Sequence, residues 1–322
     1  MPRIAYHCSH EQFAPSRLLE LVQAAERAGF TGALSSDHFH PWTDEQGESG
    51  LAWAWLGAAL QATERLPFGV VCAPGQRYHP AIIAQGAATL VEMFPERFWI
   101  AIGSGQYLNE GITGQGWPSK QERNARLREC AEVMRALWAG ETVTHRGHVV
   151  VEEAKLYTRP ARPPLLVGAA ITEETARWVG SWADALITIS RPPEEQRPVV
   201  EAFREGGGEG KPMFLKVQLS YAATEEEARH GAWQQWRANI FDSPVLADLR
   251  TPKHFDALAK QVEPDELEPM VRISAEPERH LDWLREDLEL GFEQLILHNV
   301  NLEQERFIEV FGEQVLPELR SA

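Results

Sequence analysis

Ser36-Asp37-His38-Phe39-His40-Pro41-Trp42 gathers a carboxylate, two imidazoles and an indole in one short stretch. An imidazole beside a carboxylate is a proton acceptor poised near neutrality, so His38 held by Asp37 is the first candidate base. The residues before it, Phe30 to Ser35, are short, largely apolar and interrupted by Gly32, which predicts a buried parallel strand. The acid, imidazoles and indole then stand at the C-terminal mouth of that strand, where α/β folds build their sites, and Pro41 stiffens the exit. A second candidate is Gly168-Ala169-Ala170, small residues running into Thr172 at a predicted helix start. Backbone N–H groups at such a cap suit a phosphate. His38-x-His40 also has the form of a metal-ligand pair. The later predicted strand ends, Gly168-Ala169-Ala170 and His298-Asn299, do not supply the remaining ligands a barrel hydrolase needs. No Ser or Cys nucleophile stands beside an evident base, and no carboxylate pair is placed for glycoside chemistry.

The elements that must position these residues alternate along the chain. Strands are predicted over 3–7, 30–35, 67–72, 98–102, 165–169, 185–189, 213–221 and 294–298. Helices are predicted between them, with Pro80 opening one and Gly29 and Gly140 closing two others. Two segments fall outside the repeat. Residues 142–156 alternate about Arg146-Gly147 as a β-hairpin, and 239–272 reads as a partly helical lid. Eight strands alternating with helices predict an α/β (β/α)8 TIM barrel with insertions. The rival doubly wound sheet wants a Gly-x-Gly-x-x-Gly turn after its first strand, and none is there.

The chain has 322 residues and a net charge of -16, which argues against nucleic acid and anionic membrane surfaces as partners. Three cysteines imply no disulfide framework and fit a reducing, cytoplasmic setting. No signal peptide or membrane-spanning run is evident. Trp53 and Trp55, with Leu51, Ala52, Leu56 and Leu60, give the helix after the second strand more apolar surface than one core-facing stripe needs, so a homodimer is expected there.

Four ordered motifs carry a resemblance: Glu11-Gln12-Phe13-Ala14-Pro15, Ser36 to Trp42, Arg77-Tyr78-His79-Pro80-Ala81-Ile82-Ile83-Ala84-Gln85, and Gly103-Ser104-Gly105-Gln106-Tyr107-Leu108-Asn109-Glu110. Together they resemble the luciferase-like flavin-dependent oxidoreductases, and within them the deazaflavin-dependent glucose-6-phosphate dehydrogenase branch. The resemblance implies one luciferase-like barrel domain over residues 1–322 and a ring lying across its mouth. It implies Asp37, His38, Trp42, Ser104, Gln106 and Asn109 around ring and substrate, with His38 as the base that takes the substrate proton. It further implies a non-prolyl cis peptide in Val70-Val71-Cys72 behind the ring, and Gly168-Ala169-Ala170 on the cofactor phosphate. The family's Gly-x-Gly-Glu turn has its acid replaced by Gln106, whose amide can only donate or accept a hydrogen bond. That replacement tilts the cofactor from coenzyme F420 towards FMN. The sugar-phosphate cations are not matched, Arg191 and Arg272 being the nearest candidates. The expected activity is hydride transfer between the ring and a small organic substrate. A metal-dependent hydrolase and a non-catalytic small-molecule-binding barrel are the alternatives.

Overall fold

The computed structural model describes residues 2–321. The first half runs β1 (Arg3–Cys8), α1 (Pro15–Ala28), β2 (Gly32–Ser36), α2 (Ala52–Ala62), β3 (Phe68–Cys72), α3 (Pro80–Met93), β4 (Phe98–Ile102), the single turn α4 (Tyr107–Glu110) and α5 (Lys120–Ala139). After the antiparallel hairpin β5 (Val143–Arg146) and β6 (Val150–Ala154), the repeat resumes with β7 (Leu166–Ala169), α6 (Glu173–Gly180), β8 (Ala185–Ile189) and α7 (Pro193–Phe203). It ends with β9 (Met213–Ser220), α8 (Glu225–Trp236), α9 (Ser243–Asp248), α10 (Pro252–Ala259), β10 (Arg272–Ile273), α11 (Pro277–Glu289), β11 (Gln294–Asn299), α12 (Gln304–Val310) and α13 (Leu316–Ser321). Parallel pairing in the order β1-β2-β3-β4-β7-β8-β9-β11 returns to β1, which closes an eight-stranded (β/α)8 barrel. The two-residue β10, absent from the sequence reading, extends the open end of β9.

Local chemistry explains the element ends. Pro15, Pro80, Pro193 and Pro277 occupy first helical turns, where the missing N–H costs nothing. Ser119 and Glu122 form a capping box on α5, and Thr224 and Glu227 form another on α8. Glu129 on α5 pins the hairpin through His145 at 2.9 Å and the Val149 N–H at 3.2 Å.

Strand alternation divides two cores. Leu34, Trp99, Ala101, Val167, Ile187, Phe214 and Ile296 point inward and fill the barrel, while Val70, Ile100, Leu186, Leu215 and Leu297 pack outward against the helices. The inward series turns polar towards the mouth, with His7, Lys216, Gln218 and His298. The segment 239–272 holds α9 and α10 and packs Phe255 against Trp42, their rings 5.4 Å apart. Trp55 is buried against Phe68, and Trp53 packs partly buried against Phe98. Leu51 and Ile82 are the large apolar side chains this face leaves to solvent. No helix among the described residues is long and apolar enough to cross a membrane.

Candidate active site

The loop after β1 and the loop after β2 meet at His38. Its Nδ1 lies 2.7 Å from Oε1 of Glu11, a nearly fully buried carboxylate. Glu11 Oε2 accepts hydrogen bonds from Ser9 Oγ at 2.9 Å and Ser36 Oγ at 2.8 Å, which leaves Oε1 facing the imidazole. Burial would raise the Glu11 pKa, but His38, an N–H of its own backbone and Lys216 hold it well below the usual carboxylate range. Glu11 is therefore a fixed negative charge at neutral pH. That charge faces Nδ1 at 2.7 Å, so a proton on Nδ1 is favoured over one on Nε2, the other ring nitrogen. Ser49 Oγ donates to the His38 carbonyl at 2.8 Å, and the Trp42 ring packs edge-on to the imidazole at 4.8 Å.

This corrects the expected partner of the base. Asp37 does not hold His38; it turns into the wall, where Arg77 Nη2 donates to it at 3.3 Å and Tyr78 Oη at 3.2 Å. Arg77 also donates to the Asp37 carbonyl at 2.7 Å and to Glu110, through Nε at 3.3 Å and through its backbone N–H at 3.0 Å. Burial raises the pKa of both Asp37 and Glu110, with Arg77 opposing the rise in each. In strand geometry Ser36 and His38 share one side and Asp37 faces the other, so adjacency in sequence places the two apart. Glu11 stands two residues past Ser9 at the end of β1. That position was legible in the sequence as an acid at a strand mouth, but it drew no role there.

Other expected contacts are redistributed. The described residues contain no cis peptide bond, so Val70-Val71-Cys72 is a regular trans strand. Val70 and Cys72 pack outward into the helix layer, and Val71 alone of the three faces the barrel interior. Asn109 is buried, its amide oxygen accepting the backbone N–H groups of Phe39 and His40 at 2.9 and 3.2 Å. It clamps the His38 loop. His40 Nδ1 bonds the Leu108 carbonyl at 2.8 Å and does not converge with His38 on a shared ligand point. Ser104 Oγ receives Lys120 Nζ at 2.7 Å. In the small-residue loop the Ala170 N–H is spent on the Ile187 carbonyl. A Cβ at Gly168 would come within 2.3 Å of Val179, so that glycine serves helix packing. Ala169 lies on the interior side of β7, and the Thr172 hydroxyl caps α6 through the Thr175 N–H. Arg272 is engaged by Asp287.

Trp42 and Gln106 line one cavity of ≈ 230 Å³. Gln106 is placed by the preceding turn: Gly105 has φ +79°, and a Cβ there would meet Glu110 at 2.8 Å. Across from them stand Ser190, Arg191, Lys216, Gln218 and Trp236, with Asn239, Phe241 and Leu246 from the lid. Lys216 is the functional candidate the sequence reading passed over. The alternation Leu215-Lys216-Val217-Gln218-Leu219 marks it as inward-facing. A larger cavity of ≈ 580 Å³ shares Ser190, Arg191 and Met270 but reaches neither Trp42 nor Gln106, so the chemistry belongs to the smaller one.

With this geometry in place, comparison with known proteins decides the family. The model of the luciferase-like monooxygenases matches residues 1–294. The chain belongs to the luciferase-like family. It is 35% identical to an F420-dependent glucose-6-phosphate dehydrogenase of Nakamurella multipartita, covering 99% of this chain and 97% of that protein. It is 34% identical to one of Beutenbergia cavernae, with 100% and 98% covered. Among solved structures, an F420-dependent secondary alcohol dehydrogenase in complex with an F420-acetone adduct superimposes with TM-score 0.92 at 30% identity, over 99% of both chains. The F420-dependent tetrahydromethanopterin reductase of Methanopyrus kandleri, at TM-score 0.80 and 20% identity over 98% of this chain and 99% of that one, shares the fold. Membership makes this chain an oxidoreductase on a (β/α)8 barrel.

Proposed function

We propose that this oxidoreductase removes a hydride from the carbinol carbon of a small alcohol, with His38 accepting the hydroxyl proton and coenzyme F420 as the cofactor. The observation that carries the reading is the 2.7 Å contact between His38 and the ionised Glu11, set against the Trp42 ring that walls the cavity. The cavity fits a flat heteroaromatic ring. It offers the indoles of Trp42 and Trp236 as walls, amides at Gln106 and Gln218, and an Asn239 Nδ2 that is buried without a partner. A bound deazaflavin supplies the hydride acceptor.

The chain's own residues do the rest. Glu11 fixes the imidazole so that Nε2 takes the hydroxyl proton as the carbonyl forms, and it stabilises the imidazolium that results. Trp42, wedged between His38 and Phe255, sets the wall against which the reacting carbon lies. The lid side chains Phe241 and Leu246 exclude water from that point.

FMN was the cofactor that Gln106 favoured, because a neutral amide tolerates an anionic reduced ring better than a carboxylate does. The relatives at 30% identity or more described above are named as F420-dependent, and that outweighs one side chain, so FMN becomes the second reading. The test is titration of F420 and FMN, oxidised and reduced, into wild type and Gln106→Glu, followed by visible absorption. Wild type should take F420 more tightly, and His38→Ala should bind it normally while reducing it at least about a hundredfold more slowly. Reduction at the wild-type rate in His38→Ala sinks the proton-acceptor role. We also propose a homodimer through α2 and α3, where Leu51 and Ile82 are exposed, in a reducing cytoplasmic setting. A monomer in sedimentation at micromolar concentration refutes the dimer.

A further inference from the structure

Lys216 is a cation the fold leaves without a counter-ion in bonding reach. It stands on β9 between the barrel-filling Phe214 and the cavity-lining Gln218, and is half-buried. Among the described residues it makes no hydrogen bond and no ion pair; its ammonium lies 5.5 Å from the centre of the Trp236 ring. Burial pulls its pKa down to about 8, with Glu11 opposing, so it remains largely protonated at pH 7. Arg191 repeats the pattern at the end of β8, its guanidinium meeting the Met270 thioether, a weak acceptor. The cavity wall thus holds two cations and no carboxylate, in a chain of net charge -16.

From this arrangement, and resting on the oxidoreductase reading above, we infer that the substrate alcohol carries a carboxylate close to its reacting carbon and that Lys216, with Arg191 at the rim, selects it. Three ammonium donors on the cavity floor call for an acceptor that water supplies only while the cavity is open. Charge matching favours a monoanion. Lys216 and Arg191, set against the neighbouring Glu11, leave one positive charge, which a carboxylate neutralises and a phosphoryl dianion overshoots. Lys216 lines the same cavity as Trp42, whose ring packs on His38 at 4.8 Å, so an anion held by Lys216 shares that cavity with the reacting C–OH. A distal anion would sit elsewhere. A 2-hydroxy acid has this shape.

The test is binding without turnover, read by tryptophan fluorescence from Trp42 and Trp236, with lactate, its neutral analogue propane-1,2-diol, and glycerol 3-phosphate as probes. Wild type at pH 7 should bind lactate at least about tenfold more tightly than the diol, and more tightly than glycerol 3-phosphate. Lys216→Met should abolish that preference while leaving diol binding within about twofold, and Lys216→Arg should keep it. Far-ultraviolet circular dichroism confirms that each variant folds. Equal binding of lactate and diol in wild type, an undiminished preference in Lys216→Met, or tighter binding of glycerol 3-phosphate than of lactate each overturns the inference. F420 uptake without any anion preference refutes this inference alone. An anion preference in a chain that takes up neither F420 nor FMN refutes the proposed cofactor-dependent alcohol oxidation and leaves the carboxylate site standing.

Discussion

Replacing Glu11 with glutamine changes one oxygen to an amide group and removes a single negative charge. Ser9 and Ser36 still find an acceptor in the amide oxygen, so the side chain keeps its anchorage. What is lost is the attraction between the carboxylate and the imidazolium that forms when His38 takes a proton. With charge centres about 4 Å apart and an effective dielectric constant of about 20 to 40, that attraction is worth about 2–4 kcal/mol. A transition state in which the proton is half transferred feels about half of it, which is about a 5- to 30-fold loss in the proton-coupled step. The amide can also present its N–H₂ to Nδ1 and favour the wrong tautomer, which deepens the loss to about a hundredfold or more. The assay is single-turnover reduction of the bound cofactor by stopped-flow absorption, with cofactor affinity measured beside it. Glu11→Gln should keep the affinity and lose the rate, and Glu11→Asp, a methylene short, should recover part of it. A Glu11→Gln protein that reduces its cofactor at the wild-type rate would show that the 2.7 Å contact is structural and that His38 works without it.

Arg77→Met leaves Asp37 and Glu110 buried without their shared cation, so it should cost about 3–5 kcal/mol, read as a large drop in Tm at pH 7. Because both carboxylates already have raised pKa values, the deficit should shrink as the pH falls and they protonate; a pH-independent deficit would refute the charge explanation. His280 is buried with its Nε2 3.0 Å from the Ser274 carbonyl, and burial brings its pKa from 6.5 down to about 4. The unfolded chain therefore binds the extra proton first, and stability is lost as pH falls from 6.5 towards 4. The loss from this one residue is about 2 kcal/mol between pH 7 and pH 5, and His280→Phe should flatten the urea-unfolding free energy by that amount over the range. An unchanged slope in that variant would place the acid sensitivity on His10, also at about 4, and on the other buried histidines.

The barrel was legible in the sequence because most of its strands are short apolar runs and most of its helices carry their own start or stop, from Pro15 and Gly29 to Thr224 and Pro277. The loop carrying His38 and Trp42 was legible for the same reason, since it follows such a run. Residue partners were less so. Asp37 looks like the partner of His38 because it is its neighbour, yet alternation sends it to Arg77, while the real partner lies on another strand's loop. Asn109 and Gly168 have structural work that their motifs did not reveal: one clamps a loop and the other makes room for Val179. Lys216 was hidden differently. An alternating strand looks half-exposed by the usual rule, and only the closed barrel shows that its polar side is the floor of a cavity.

The Arg77 bridge bears on how such an enzyme can acquire a new substrate. By gripping both Asp37 and Glu110, one guanidinium welds the His38 segment to the turn that presents Gln106, so these two sides of the mouth move as one body. The opposite side, formed by the ends of β8 and β9 and by the lid, is tied to that body through other side chains: Arg237 pairs with Glu45 at 3.0 Å, Trp117 Nε1 donates to Asp248 at 2.8 Å, and Phe255 packs on Trp42. Arg191 rests on a thioether there, Asn239 and Leu246 come from short helical turns, and Phe241 from the bend between them. Those ties run through Arg237, Asp248 and Phe255, so variation that spares them can alter the recognition side, and a library confined to Arg191, Lys216, Asn239, Phe241 and Leu246 is the economical route to altered substrate choice.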